Sequence, residues 1–371
     1  MKLLPKISIY DRYIFKQVLF STVGAILLFT VVWIAPEMLL NTIKKTLAGD
    51  YTVKTAILVL FYELPKILGK AFPVGLLLGS LFTFDKLSKD SELTIFRAVG
   101  LSFKRILAPV LFLSLIITWM CFVTCDKLIP LSVAKLNAVN DKHSSTQYIY
   151  TQKEENGAPK LAVVVSGYRD KIMHNIIVLD FSKKVYSDVQ QLSNIYSAEK
   201  GEYMGDKWAL NNITQYQISN DGIFTDIAQI DHMDILQGEA AKNAYTLMTY
   251  STKKEREITN SDLHSYIKLL KKEGLDEEYR YMLNKYLQRF FHPFVCVLLA
   301  IMGTLLGFSK PREQRLVGFT IAIGSIFLYY ITLPFFDLLA EKGVLPPLVT
   351  ALFPPVAFLI AIIMFYRSKD L

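Results

Sequence analysis

The chain has 371 residues, 52% of them hydrophobic, a mean hydropathy of +0.32 and a formal net charge of +8. That is too apolar for a soluble domain of this length, so a membrane is the expected solvent. The cationic excess does not point to nucleic acid, because the basic residues sit mostly in short stretches between apolar runs rather than on one soluble face.

Six apolar stretches are long enough to cross ~30 Å of hydrocarbon at ~1.5 Å per residue. The first three run from about Ile14 to Pro36, Ala56 to Phe84 and Ile106 to Cys125. The first follows Lys2, Lys6, Arg12 and Lys16, but it lacks a small-residue cleavage site and is expected to stay as a membrane helix. Its outer end carries Glu37, Lys44 and Lys45. Ionisable groups at that depth suit a cavity or anionic lipid phosphates, and lysines snorkelling at an interface fit equally well.

Between the second and third spans lies the segment from Asp85 to Gly100. It reads as a short helix with Asp90 or Ser91 as its cap, Glu92 in the first turn and Gly100 as its stop. Leu93, Phe96 and Arg97 follow at i, i+3, i+4 spacing, a shape that fits a groove on a partner protein. An amphipathic connector resting on headgroups is the alternative.

A polar insert from about Lys127 to Arg289 follows. Alternating runs such as Leu161-Ala-Val-Val-Val-Ser-Gly and Asn175-Ile-Ile-Val-Leu-Asp-Phe, with turns such as Asn220-Asp-Gly, predict an all-β domain. Gln147 to Leu236 has room for roughly eight strands, as a sandwich, jelly roll or partial barrel. From Thr259 the period becomes helical. Thr259-x-x-Asp262 forms a capping box, Leu263, Ile267 and Leu270 share a face, and Gly274 is a stop; a second helix from about Asp276 leads into the fourth span.

The last spans run from about Leu287 to Phe308, Leu316 to Leu338 and Leu345 to Tyr366. Short flanks on the side of the termini carry thirteen Lys and Arg against four on the other side. The positive-inside rule then predicts cytoplasmic termini and an insert outside. Gly75-x-x-x-Gly79 and Gly303-x-x-x-Gly307 allow close helix contacts, within the bundle or between subunits.

Enzyme chemistry finds little support: the sequence has no phosphate loop, no His-Glu-x-x-His and no nucleophile elbow. Cys121, Cys125 and Cys296 give no disulfide framework or metal-ligand spacing, and the five histidines are scattered. No metal, cofactor or catalytic residue is expected. A lipid-headgroup enzyme would need Asp337, Glu341 and His292 to converge.

The layout and several stretches resemble the LptF/LptG permease family. They include Asp11-Arg-Tyr-Ile, Ile43-Lys-Lys, Phe72-Pro-Val-Gly, Asp206-Lys-Trp-Ala-Leu-Asn-Asn, Arg289-Phe-Phe-His-Pro, Gly343-Val-Leu-Pro-Pro and, most specifically, Ser91-Glu-Leu-Thr-Ile-Phe-Arg-Ala-Val-Gly-Leu-Ser. Two departures stand out: Glu37 occupies a position where a base is expected, and Phe353-Pro-Pro replaces the usual Pro-Asn.

The resemblance implies a helical membrane protein with an inserted β-jelly-roll-like domain. Residues 1–126 would hold three spans with a coupling helix at 85–100, 127–258 the periplasmic β-domain, 259–285 connecting helices and 286–371 the last three spans. It implies docking of Asp90, Glu92, Leu93, Phe96 and Arg97 on a dimer of an LptB-like ATPase, where ATP and Mg would be bound, and a substrate cavity near Glu37, Lys44 and Lys45. The other implied partners are a second LptF/LptG-type permease, as hetero- or homodimer, an LptC/LptA-like periplasmic bridge, and lipopolysaccharide or a related glycolipid. The competing class is a membrane-anchored sensor or scaffold with a ligand-binding β-domain.

Overall fold

The computed structural model describes residues 8–34, 38–139, 148–153, 159–169, 172–183, 190–219, 222–251, 253–308 and 315–368. The chain divides into two compact units. One comprises residues 1–139, 259–263 and 275–371, the other residues 140–258 and 264–274.

The first unit is helical: α1 (Ile9–Ile34), α2 (Leu40–Leu47), α3 (Val53–Lys89), α4 (Glu92–Ala98), α5 (Phe103–Val123), α6 (Ile129–Val139), and later α9 (Asp276–Gly307), α10 (Arg315–Glu341) and α11 (Pro347–Ser368). Among the described residues six helical stretches are long and apolar enough to span a membrane. The third differs from its sequence reading. Instead of ending near Cys125, the helix passes through a π-turn at Thr124–Leu128 and continues as α6. Pro130 lies just past the turn, and the widened turn accommodates its missing N–H. In the fourth span, the connecting helix expected from Asp276 and the span itself form one uninterrupted helix.

α3 lies at the centre and packs along α1 and α9. The small residues explain how. A Cβ at Gly303 would meet the Leu77 carbonyl oxygen at 2.3 Å, and one at Gly307 the Leu81 oxygen at 2.6 Å. On the opposite side, Gly75 and Gly79 touch Ile26 and Thr22 of α1. Both small-residue pairs are therefore consumed inside the chain. Pro73 offers no N–H to the Gly69 carbonyl one turn back, and the Cys121 thiol donates to that oxygen at 3.8 Å. This gives Cys121 a packing role rather than a redox one.

The second unit holds six antiparallel strands, β1 (Tyr148–Lys153), β2 (Pro159–Arg169), β3 (Ile172–Lys183), β4 (Gln190–Tyr203), β5 (Lys207–Ile218) and β6 (Phe224–Gln237). Each pairs with its sequence neighbour in one meander. Where the sequence reading expects about eight shorter strands in a jelly-roll-like arrangement, the described residues form six longer ones, most of 11–14 residues. The run from Asn175 to Phe181 is part of one longer strand, β3. The expected turn at Asn220-Asp-Gly falls mostly outside the described residues.

Trp208 anchors this unit. Its indole is fully buried and donates to the Ala241 carbonyl at 2.9 Å on α7 (Gly238–Ser251). Tyr245 of α7 stacks on Tyr203 at 4.1 Å and hydrogen-bonds the Tyr168 hydroxyl at 2.8 Å. Burial and that bond push Tyr168 above the usual tyrosine range, and burial raises Tyr150 to about 12. The next helix, α8 (Asn260–Lys272), starts with the expected cap, the Thr259 hydroxyl accepting from Asp262 N at 3.3 Å. Leu263, Ile267 and Leu270 are buried, and Gly274 follows at φ +69°.

Candidate functional site

The short helix α4 follows α3 after a turn in which Ser91 takes a left-handed conformation, φ 58°, and makes no side-chain cap. Asp90 caps the C-terminus of α3 and is exposed. The turn therefore redirects the chain, and the cap expected of Asp90 or Ser91 is absent. At the other end Gly100 at φ +90° stops the helix, its N–H donating to Arg97 O at 2.9 Å.

Four of the predicted residues face the helical bundle. Leu93 is 4% exposed, within the core cluster of Ile14, Phe84, Leu87 and Ile106, and Phe96 packs against the same cluster. Glu92 accepts a bond from the Tyr13 hydroxyl at 2.9 Å, and the Arg97 guanidinium lies 5.9 Å from the Phe308 ring centre. The Phe308 ring stands edge-on to Phe103 at 5.5 Å, and Phe103 in turn meets Tyr366 at 5.9 Å. Beside them the Ser88 hydroxyl donates to the Gly307 carbonyl at 3.1 Å, joining α3 to α9. The start of α1 joins α5 through Arg105 and Asp11 at 2.7 Å.

The opposite face of α4 is open: Ile95 is 59% exposed and Val99 77%, with Thr94 and Ala98 exposed beside them. The sequence reading passes over Ile95 and Val99. Both faces of this helix are apolar, and spacing alone does not say which one the bundle takes. The result is a short helix seated on α3 and tied to α1 by Tyr13, with an apolar outer stripe.

The second candidate lies on α2. Lys44 and Lys45 are both exposed, and the Lys45 ammonium reaches the Tyr51 hydroxyl at 3.0 Å and sits 4.9 Å from that ring centre. Leu40, Ile43 and Leu47 are exposed apolar residues of the same helix. Glu37 lies outside the described residues.

The triad a headgroup enzyme would need does not assemble. Asp337 accepts from Asn284 and Gln288, each at 2.8 Å, and pairs with Lys285. His292 instead bonds the Tyr329 hydroxyl, and the Glu341 carbonyl accepts from Arg280 at 3.2 Å. Among the described residues no group of His, Cys, Asp and Glu could hold a metal.

With that architecture in place, the family model described as lipopolysaccharide export system permease LptF/LptG matches residues 12–368. The chain belongs to the LptF/LptG family. The chain is 22% identical, over 377 residues, to the lipopolysaccharide export system permease protein LptG of Escherichia coli K12. That alignment covers 98% of this chain and 99% of the relative. The LptG protein of E. coli O6:H1 matches to the same extent. This LptF/LptG-family chain is thus a multi-pass membrane permease, with its β-rich insert between the third and fourth spans.

Proposed function

We propose that this permease is the membrane subunit of an ATP-driven exporter that extracts lipopolysaccharide, or a related glycolipid, from the outer leaflet of the bacterial inner membrane. In this reading both termini and α4 are cytoplasmic and the β unit is periplasmic, in line with thirteen flanking cations against four. ATP and Mg are bound by a dimer of an LptB-like partner. A second LptF/LptG-type permease completes the cavity, and the β units hand the cargo to an LptC/LptA-like bridge.

The observation that carries the reading is α4, anchored by Leu93 and Phe96 with Ile95 and Val99 outermost. A motor that closes on that stripe displaces the helix, and the anchored face passes the movement to the spans. A driven step is needed because each acyl CH₂ exposed to water costs ~0.8 kcal/mol. In this reading the exposed Lys44 and Lys45 meet lipid phosphates.

The test is co-purification of the full-length chain with an LptB-like ATPase. Ile95→Asp with Val99→Asp is expected to abolish capture while leaving the chain folded. Undiminished capture by that variant would refute α4 as the grip.

A further inference from the structure

The sheet of the second unit carries a line of interruption that runs straight across five strands. Along β2 and β3 the register pairs Val165 with Ile176 and Gly167 with His174, and the step between them, Ser166 with Asn175, is unpaired. Between β3 and β4 the same gap falls at Asn175 and Glu199, between β4 and β5 at Glu199 and Asn212, and between β5 and β6 at Asn212 and Asp231. The register is identical on both sides of each gap, so none of them is an inserted residue. One row of the lattice is missing its bridges.

Two members of that row, Asn175 (φ 50°) and Asn212 (φ 52°), are left-handed. Among non-glycine residues asparagine accepts this region most readily, whereas a β-branched side chain is strained there. Each such residue advances the pleat by one, because successive side chains of a strand otherwise alternate. The buried positions record the slip: Met173 and Ile176 on β3, and Leu210 and Ile213 on β5, all lie inside although they are three apart. On β4 the buried residues are Ala198 and then Gly201. A Cβ on Gly201 would meet both Ile176 Cδ1 and Leu210 Cδ2 at 2.6 Å, so side chains from the two halves crowd together where glycine leaves room. A polar hollow on the exposed face follows the same line, with Ser166, Asn175, Glu199 and Asn212 in its lining.

We infer that the row Ser166–Asn175–Glu199–Asn212–Asp231 is a hinge across the sheet, about which the two halves bend as separate plates, with Asn175 and Asn212 as the residues that absorb the change. Bending concentrates there because cross-strand bridges, which stiffen a sheet, are interrupted along the same row in all four ladders from β2 to β6. The apolar inner face continues through the row, with Leu210 buried on one side of it and Val165, Ile176 and Ile213 on the other, so bending exposes no polar seam. The proposed function gives this unit the hand-over of cargo, but the inference itself rests on the strand register.

The test uses the full-length chain in lipid nanodiscs, with Cys121, Cys125 and Cys296 replaced by alanine and pairs of spin labels read by pulsed electron resonance. One pair, at Ile149 and Ile227, lies within one plate; the other, at Ile149 and Glu202, crosses the row. The crossing pair is expected to give a distance distribution about twice as broad as the pair within one plate, the signature of motion between rigid bodies. Equal widths overturn the hinge. Asn175→Gly with Asn212→Gly, which keeps the left-handed backbone accessible, is expected to retain the mean crossing distance. Asn175→Val with Asn212→Val is expected to shift it by several ångström or to prevent folding. A folded valine variant with the wild-type distribution removes the two asparagines from the inference. Should that variant fail to fold, the two wild-type label pairs still decide the hinge. Failure of ATPase capture by α4 would leave this result standing, because no partner is present in the measurement.

Discussion

Lys285 of α9 and Asp337 of α10 form an ion pair inside the helical unit, with side chains only 14% and 13% exposed. Asp337 also accepts from Asn284 and Gln288, and the Asn284 amide oxygen in turn takes the Thr350 hydroxyl of α11 at 2.9 Å. A single carboxylate thereby ties three spans together. Removing one partner leaves the other charge largely shielded from water and without its counter-ion, which costs more than the pair contributes. Asp337→Ala is expected to destabilise the chain by about 3 to 5 kcal/mol. The double change Lys285→Met with Asp337→Leu should recover most of that loss. Thermal unfolding in detergent compares the three; equal melting of the single and double variants would contradict the assignment.

The two faces of α4 make opposite predictions. Leu93→Ala opens a cavity in a core that excludes solvent, and a loss of about 2 to 5 kcal/mol in stability is expected. Val99→Asp changes an exposed position and should leave the melting temperature within about 2 °C. Only the second is expected to weaken ATPase capture in proportion to its local effect. A Val99→Asp chain that melts as early as Leu93→Ala would show that the outer face is packed.

Much of this arrangement is legible in the sequence, and the exceptions have physical causes. The six spans announce themselves because a lipid-crossing helix needs a long apolar run, and helix ends such as Thr259 and Gly274 carry local signals that tertiary packing does not override. Side-chain orientation within α4 is not local: Leu93 and Ile95 are equally apolar, and only the surrounding helices decide which is buried. The strand count also escapes, since short alternating runs such as Asn175 to Phe181 are parts of longer strands whose ladders resume beyond left-handed Asn175 and Asn212. Asp337 with Lys285 is hidden for a different reason, because the partners lie 52 residues apart on separate helices.

The contact between α3 and α9 depends on backbone touching side-chain-free positions. Gly303→Leu would drive atoms into the Leu77 carbonyl, and no rotamer relieves a clash at the Cβ itself. The variant is expected not to accumulate as folded protein, whereas Gly324→Ala, where a Cβ meets nothing within 4 Å, should accumulate normally. Size-exclusion profiles of the two in detergent provide the comparison, and a monodisperse Gly303→Leu chain would refute the close packing.

In the β unit, Lys207 donates to Asp234 at 2.8 Å across β5 and β6, and a His232 ring nitrogen lies 3.3 Å from the same carboxylate. The lysine hydrogen bond holds Asp234 below its ordinary value of 3.8, and the carboxylate holds Lys207 above its ordinary 10.5. A lowered acid stabilises the native state above its unfolded pKa, and that contribution disappears as pH falls through the native value. A raised base behaves in the mirror sense, contributing below 10.5 and losing its effect as pH climbs through the native value. The pair therefore supports the β5–β6 ladder across the neutral range and fails at both extremes. Because both groups are reached by solvent, salt screens the interaction and the effect is small. Amide protection of residues 207–211 in the full-length chain should drop on acidification below pH 3.8 relative to Asp234→Asn, whose protection is expected to change less over the same interval. Identical acid profiles for the two proteins would mean that the contact contributes nothing to holding the ladder.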